Sequence, residues 1–170
     1  ITSGLLDAEL ILAHTLRKPR TWLHAHSDET LTIHQLEIAN ARLDLRRDRT
    51  PLAYIIGHKE FYGRLFKVSP ATLIPRPETE LMITVLNKYF VQGKTTLIDV
   101  GTGSGCLGIT AKLEHPTLNV TLTDISQHAL SIAKQNATRL SAQVNIVRSD
   151  LLTSVPTRHD YMLANLPYVD

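Results

Sequence analysis

The stretch that decides the fold is Thr96-Leu97-Ile98-Asp99-Val100-Gly101-Thr102-Gly103-Ser104-Gly105. Leu97 to Val100 is a short apolar run, interrupted only by Asp99, and it predicts a buried strand. Glycines then alternate with small polar residues, and Cys106 to Leu113 has the composition of a buried helix. A strand that turns through glycines into a helix lets a nucleotide-like ligand lie against bare backbone at the helix N-terminus. The sequence therefore predicts a ligand-binding turn at residues 101–105.

The composition limits the classes of protein to which this sequence can belong. Of the 170 residues, 43% are hydrophobic and 20% are charged, which indicates a globular chain and excludes a disordered one. The net charge of +2 argues against a strong field for nucleic acid. The single cysteine excludes an internal disulfide framework and fits a cytoplasmic location. No apolar run is long enough to span a bilayer, so we expect no membrane partner.

The two ends of the sequence suggest a piece of a longer protein. The first residue is Ile1 rather than Met, and the last predicted strand is followed almost at once by the final residue, Asp170. A parallel sheet that ended there would expose a full hydrogen-bonding edge. We therefore expect a truncated sheet whose C-terminal strands are missing.

Residues 1–50 predict a small helical domain. Asp7 to Leu16 has apolar residues at helical spacing. Thr32 and Gln35 form a capping box that opens a helix to about Arg49, with Leu36, Ala39 and Leu43 on one face. The basic residues of this domain lack interleaved aromatic residues, so we favour a solvated helix face over an RNA-binding surface. They are Arg17, Lys18, Arg20, Arg42, Arg46, Arg47 and Arg49.

Residues 51–74 predict a connector with a β-hairpin. Gly63-Arg64 is the expected two-residue turn, and the nearby aromatic residues are expected to form the hairpin's core. The next segment, Ile74-Pro75-Arg76-Pro77-Glu78-Thr79-Glu80, starts in extended conformation and leads into a helix to about Tyr89. On pattern alone, this segment fits a rigid hinge and a functional site equally well.

Residues 75–170 alternate strand and helix patterns, which predicts an α/β fold with a doubly wound parallel sheet. Strand patterns at 119–124, 144–147 and 161–164 follow the glycine turn, and Ser126 is expected to cap an intervening helix. Such sheets bind ligands at the carboxyl ends of their strands. The glycine turn, Asp124, Asp150 and Asn165 all follow strands, so we expect them to share one site.

The two acids outline an adenosine-containing ligand. Asp124 lies about twenty residues after the glycines, where a carboxylate can accept hydrogen bonds from both hydroxyls of a ribose. Asp150 can accept from an adenine amino group, with Leu151 against the ring. Each acid alone is also a common turn residue. A nicotinamide dinucleotide fits the same outline, because Gly101-x-Gly103-x-x-Cys106 nearly matches its fingerprint.

Two motifs carry a resemblance to known proteins. Asp99-x-Gly101-x-Gly103-x-Gly105 resembles motif I of the class I S-adenosylmethionine-dependent methyltransferases. Asn165-Leu166-Pro167-Tyr168 resembles the Asn-Pro-Pro-Tyr signature of methyltransferases that act on planar amide or amino nitrogens. With Arg49 to Gly57 and Ser69 to Glu80 in the same order, the sequence resembles the HemK/PrmC family, the peptide chain release factor N5-glutamine methyltransferases. The resemblance extends over essentially all 170 residues.

This resemblance implies a Rossmann-like methyltransferase that methylates the glutamine of the Gly-Gly-Gln motif of class 1 release factors. Because the sulfonium of the cofactor supplies the leaving group, and the histidines and Cys106 lack metal-ligand spacing, we expect no metal. It also implies that the helical domain recognises the substrate. The expected contacts to S-adenosylmethionine come from Gly101, Thr102, Gly103, Ser104, Gly105, Asp124, Asp150, Leu151 and Asn165. The expected substrate residues are Arg76, Pro77 and Glu78, together with the catalytic group Asn165, Leu166, Pro167 and Tyr168.

The chemistry of an amide acceptor accounts for the Asn165 motif. An amide nitrogen is a poor nucleophile because its lone pair is delocalised into the carbonyl. The Asn165 side-chain oxygen and the Leu166 carbonyl can each accept one hydrogen of the NH2 group, which orients it and favours positive charge on nitrogen. Leu166 replaces the usual first proline, but the accepting group is backbone and Pro167 still favours an extended Leu166. We therefore expect function to be retained with some loss of rigidity.

Three alternatives stay open on the sequence alone. An N6-adenine methyltransferase of DNA or RNA can share the Asn-x-Pro-Tyr signature, although no basic groove is evident. A nicotinamide-dependent oxidoreductase leaves the Asn165 motif and the segment from Ile74 to Glu80 unexplained. A non-catalytic fragment would bind the cofactor or a partner without turnover.

Overall fold

The computed structural model describes residues 3–93, 95–155 and 157–166. Tertiary contacts divide the chain into two compact units, Ile1–Gly57 and His58–Asp170. The first unit extends past residue 50, because a short helix after Pro51 packs within it. Within the described ranges, no helix is both long and apolar enough to cross a bilayer.

The first unit is built from the helices α1 (Gly4–Leu16), α2 (Arg20–Ala25), α3 (Ile33–Arg47) and α4 (Leu52–Ile56). The predicted capping box of α3 is confirmed: the Gln35 amide donates to Thr32 Oγ1 at 3.2 Å, and the Thr32 amide donates to Gln35 Oε1 at 2.9 Å. The predicted apolar face of α3 is wrong for two of its three residues. Ala39 is buried, whereas Leu36 and Leu43 are exposed.

The interface between α3 and α1 explains this difference, because it is partly polar. Arg46 Nε donates to Asp7 Oδ2 at 2.7 Å, and Arg42 donates to Thr15 Oγ1 at 2.8 Å. The Arg46 side chain is only 22% exposed, and its partner Asp7 is buried. The prediction of a solvated basic face is therefore wrong for Arg42 and Arg46, which join the two helices of this unit.

The second unit begins with the predicted hairpin, formed by β1 (His58–Phe61) and β2 (Arg64–Lys67). Phe61 lies opposite Arg64, so the two turn residues are Tyr62 and Gly63. The predicted turn at Gly63-Arg64 is therefore wrong by one residue. Both turn residues have positive φ, +50° and +70°, as a type I′ turn requires. The predicted aromatic core is confirmed for Phe61 and Phe66, which are buried with ring centroids 6.1 Å apart.

The predicted parallel sheet is confirmed. Its strands are β3 (Thr96–Val100), β4 (Asn119–Asp124), β5 (Asn145–Arg148) and β6 (Tyr161–Ala164), in the order β5-β4-β3-β6. A 3₁₀ turn at Pro77–Thr79 leads into α5 (Glu80–Tyr89), and α6 (Cys106–Glu114) and α7 (Gln127–Arg139) follow β3 and β4. Apolar residues of strands and helices share one core, including Leu97, Leu122, Ile83 and Ile109.

The strand order creates a crevice beside β3. The chain runs from β3 through β4 to β5 in one direction along the sheet, whereas β6 lies on the other side of β3. Because crossovers between parallel strands are right-handed, α6 and α7 lie on one face and the connection to β6 crosses the other. In its described residues 149–155 and 157–160, that connection contains no helix. Sheets of this kind bind ligands where the order reverses, between the carboxyl ends of β3 and β6.

Candidate active site

The glycine turn after β3 has a backbone that requires glycine. Gly101, Gly103 and Gly105 have φ values of +67°, +56° and +82°, which are strained for other residues. A Cβ on Gly101 would lie 2.5 Å from Leu166 Cδ2, and a Cβ on Gly105 would lie 2.7 Å from Ile109 Cδ1. The turn thus presents bare backbone, and the Leu166 side chain lies against its first residue.

Asp99, the charged residue inside the apolar strand β3, anchors this turn. Its Oδ2 accepts a hydrogen bond from Thr102 Oγ1 at 2.6 Å and another from the Gly108 amide at 2.9 Å. The residue is 1% exposed. Burial raises the pKa of Asp99 to about 6, although the hydrogen bonds from Thr102 and Gly108 act in the opposite direction and the charge of Asp124 adds a smaller increase.

This pKa predicts a pH dependence of stability. The folded-state pKa of about 6 lies above the ordinary value of 3.8, so folding favours the protonated carboxyl. The resulting stabilisation is complete below pH 3.8 and is lost as the pH rises through about 6. We expect the free energy of unfolding of the native protein, relative to Asp99→Asn, to fall by roughly 2–3 kcal/mol across that range. Urea unfolding of both proteins from pH 4 to pH 7 measures this change. A difference in the free energy of unfolding that stays constant with pH would contradict the prediction.

Asp124, the predicted ribose acid, is tied to the turn by its own hydrogen bonds. Its Oδ2 accepts from the Gly103 amide at 2.9 Å, and its Oδ1 accepts from the Ser126 amide at 2.9 Å. Each carboxylate oxygen keeps a second lone pair, so the half-buried group can still accept from a ligand. The Ser149 amide donates to the Asp124 carbonyl, which brings the exposed Asp150 and Leu151 next to the end of β4.

A cavity of about 560 Å³ brings together the two motifs for which we predict a substrate role. It is lined by Leu73, Arg76, Glu78, Thr79, Met82, Asn165 and Leu166. Arg76 and Glu78 of the proline segment therefore lie beside Asn165 and Leu166. Pro77 is not among the lining residues, and Pro167 and Tyr168 lie outside the described residues. Because Leu166 also lies against Gly101, the cavity adjoins the glycine turn.

A larger groove of about 1110 Å³ lies elsewhere in the second unit. It runs along α7 and the amino-terminal ends of β4 and β5, and none of the predicted site residues that the structure describes lines it. Ligands of parallel sheets bind at the carboxyl ends of the strands, so we assign the site to the smaller cavity.

Thr79 is a site residue that sequence reasoning missed. It is 8% exposed, lines the cavity, and its Oγ1 accepts a hydrogen bond from Asn165 Nδ2 at 3.4 Å. This bond directs the NH2 end of the Asn165 side chain towards Thr79 and leaves its oxygen for another donor. The available signal was its position in the proline segment, directly after Glu78.

Removing the Thr79 hydroxyl is expected to lower activity moderately. Thr79→Val keeps the side-chain volume but leaves the Asn165 amide without its partner, so we expect about a fivefold to tenfold loss of turnover, the equivalent of one hydrogen bond. Thr79→Ser keeps the hydroxyl and should retain most of the activity. Steady-state kinetics of the two variants make the comparison, and a larger loss in Thr79→Ser than in Thr79→Val would show that the methyl group matters instead.

Cys106 is not suited to nucleophilic chemistry. Burial, with a smaller contribution from the neighbouring charge of Asp99, raises the pKa of its thiol to about 12. Among the described residues, no three His, Cys, Asp or Glu side chains lie close enough together to hold a metal ion.

Comparisons with known proteins agree with this architecture. The family described as "Methyltransferase small domain" matches residues 77–170, and the family described as "PrmC N-terminal domain" matches residues 1–57. Two solved structures share the fold at low sequence identity. One is a 16S rRNA N2 G1207 methyltransferase of T. thermophilus in complex with AdoMet and guanosine, with a TM-score of 0.57, 16% identity, and coverage of 66% of this chain and 32% of that one. The other is a methyltransferase from Pyrococcus furiosus, with a TM-score of 0.53, 21% identity, and coverage of 76% and 61%.

Curated relatives are more similar in sequence. The release factor glutamine methyltransferase of Koribacter versatilis is 45% identical over 170 residues, which cover 98% of this chain and 61% of the relative. The protein of the same name from Bordetella pertussis is 38% identical over 171 residues, covering 96% and 62%. This chain thus spans about three fifths of the length of these relatives. The resemblance to the HemK/PrmC family is confirmed, and the nicotinamide alternative is excluded. The chain belongs to the methyltransferase small domain family, and its residues 1–57 match the PrmC N-terminal domain.

Proposed function

We propose that this chain is part of an enzyme that methylates the glutamine side-chain amide in the Gly-Gly-Gln motif of class 1 release factors, with S-adenosylmethionine as the methyl donor. The observation that carries the proposal is the cavity in which Asn165 and Leu166 lie beside Arg76 and Glu78, next to the glycine turn. The names of the relatives support the substrate. A release factor acts in the cytoplasm, so a cytoplasmic location is part of the proposal.

The glycine turn and its surroundings fit S-adenosylmethionine. The turn offers backbone that no Cβ covers, and Asp124 keeps free lone pairs beside it that can accept from two ribose hydroxyls. The exposed Asp150 and Leu151 are available to an adenine base. Together with Asn165, the proposed contacts are those expected from the sequence: Gly101, Thr102, Gly103, Ser104, Gly105, Asp124, Asp150 and Leu151. When bound, the cofactor supplies an activated methyl group with a good leaving group.

Asn165 and Leu166 hold the acceptor amide in our proposal. The Asn165 side chain is half-buried, and its oxygen can accept one hydrogen of the glutamine NH2 group because its own NH2 donates to Thr79. The Leu166 carbonyl accepts the other hydrogen. These two bonds orient the nitrogen and stabilise the positive charge that develops on it, so no strong base is needed.

The remaining substrate contacts surround this amide. Arg76 and Glu78 are exposed at the cavity and offer a donor and an acceptor to the peptide on either side of the glutamine. Pro77, Pro167 and Tyr168 stay predictions, with Tyr168 packing against the planar amide. The helical first unit is proposed to recognise the body of the release factor. Its Arg42 and Arg46 are engaged within the unit, which weakens the argument for a nucleic-acid substrate.

Transfer of label tests this function directly. The purified protein is incubated with S-adenosylmethionine labelled in the methyl group and with either a class 1 release factor or duplex DNA. We expect label on the release factor, and none on a release factor whose Gly-Gly-Gln glutamine is replaced by alanine. Label on DNA alone would overturn the proposal in favour of an adenine methyltransferase. If the protein binds the cofactor but labels neither substrate, the alternative of a non-catalytic fragment is favoured.

A further inference from the structure

Helix α7 contains a buried polar residue, Asn136, with an exposed fraction of 0%. Its side chain makes three hydrogen bonds outside its own helix. Asn136 Oδ1 accepts from the Lys67 amide at 2.7 Å, and Asn136 Nδ2 donates to the Lys67 carbonyl at 2.9 Å and to the Ser104 carbonyl at 2.8 Å. An asparagine in the middle of a helix is unfavourable by propensity, so these three bonds account for its presence there.

The partners determine the orientation of this amide. A backbone amide can only donate and a backbone carbonyl can only accept, so the oxygen of Asn136 must face the Lys67 N–H. Lys67 is the last residue of β2, and Ser104 belongs to the glycine turn. One side chain of α7 therefore joins the hairpin to the turn.

The bond to Ser104 immobilises one peptide group of the turn. Its carbonyl accepts from Asn136, while the N–H of the same peptide group, that of Gly105, donates to the Thr102 carbonyl at 2.9 Å. Both polar atoms of this peptide group are thus held from opposite sides, and the positive φ of Gly105 is maintained at the start of α6.

Two neighbouring side chains of α7 provide matched controls, because the hydrogen bonds that they form with the described residues reach the hairpin and not the turn. Lys67 Nζ donates to Gln135 Oε1 at 2.7 Å, and the Arg139 guanidinium donates to the Leu65 carbonyl. Both are exposed. Loss of either weakens the attachment of the hairpin to α7 without altering the Ser104 carbonyl.

We infer that Asn136 is a positioning residue for the cofactor turn: its amide holds the Ser104 peptide group in the conformation that binds the cofactor and couples the turn to the hairpin. This inference rests on the proposed function, because it concerns the affinity of the same turn for S-adenosylmethionine. It assigns to a residue in α7, outside every recognised motif of this sequence, a role in cofactor binding.

The test compares Asn136→Leu, which keeps the approximate volume without the amide, with Arg139→Met. Calorimetric titration with S-adenosylmethionine is carried out on each purified protein, at a temperature where thermal unfolding shows it to be folded. We expect Asn136→Leu to bind at least about tenfold more weakly and Arg139→Met to stay within about twofold of the native protein. In kinetics, the KM for the cofactor should rise for Asn136→Leu while the KM for the release factor stays unchanged.

A folded Asn136→Leu protein with native affinity would overturn the inference and leave the proposed function intact. Failure of the native protein to bind S-adenosylmethionine would overturn both. If Asn136→Leu does not fold, amide hydrogen exchange of the native protein decides the question. Addition of S-adenosylmethionine should then slow the exchange of the Lys67 amide, which donates to Asn136, and leave the amides of β1 unchanged. No slowing at Lys67 would overturn the inference.

Discussion

Asn165→Ala is expected to reduce the rate of methyl transfer about 10²- to 10³-fold, the loss typical of removing one transition-state hydrogen bond in a preorganised site. The variant loses the oxygen that, in our proposal, accepts from the glutamine NH2 group. That interaction strengthens as positive charge develops on nitrogen, so the loss should appear in the rate of transfer rather than in cofactor affinity. Single-turnover labelling of a release factor measures the rate, and calorimetric titration measures the affinity.

Two further variants test whether the loss of rate is specific to the Asn165 side chain. Asn165→Asp keeps an acceptor oxygen but cannot donate to Thr79, so we expect an intermediate rate. Asn145→Ala removes an exposed asparagine at the start of β5, outside the residues that line the cavity, and should leave the rate unchanged. A native rate in Asn165→Ala would rule out the proposed hydrogen bond to the acceptor amide.

Gly108→Ala is expected to destabilise the protein although alanine is the better helix former. A Cβ at this position in α6 would lie 2.2 Å from Leu122 Cδ2 and 3.0 Å from Asp99 Cβ. Both neighbours are buried, so neither can move away freely. Overpacking of this kind costs about 3 kcal/mol at the upper end of its range, against about 1 kcal/mol gained in helix propensity. We expect a net loss of about 2 kcal/mol in the free energy of unfolding.

The substitution also displaces the carboxylate that accepts from the Gly108 amide and from Thr102, so cofactor affinity should fall as well. Chemical denaturation measures the stability of the variant. Gly4→Ala is the control, because Gly4 lies at the start of α1 and, apart from its chain neighbours and the backbone of its own helix, no atom of the described residues lies within 4 Å of a Cβ there. A Gly108→Ala protein as stable as the Gly4→Ala control would contradict the close packing of α6 on β3 and β4.

Local patterns in the sequence predicted most of the secondary structure. The capping box at Thr32 and the alternation that leads to the parallel sheet are both confirmed, because caps and periodicity depend on neighbouring residues. The hairpin turn was misplaced by one residue, because Tyr62 takes the positive φ that was expected of glycine alone. The Arg42 and Arg46 side chains were misjudged because their partners lie on another helix.

The sequence by itself determined the fold class, the glycine turn and the identity of Asn165 and its neighbours as candidate site residues, whose roles stay predictions. Only the tertiary structure decided that the proline segment and Asn165 share one cavity, that Thr79 holds the Asn165 amide, and that Asn136 ties the turn to the hairpin. The physical reason is the separation of the contacting residues along the sequence. A cap or a strand is encoded within a few residues, whereas these contacts join residues that only the strand order and the packing of helices on the sheet bring together.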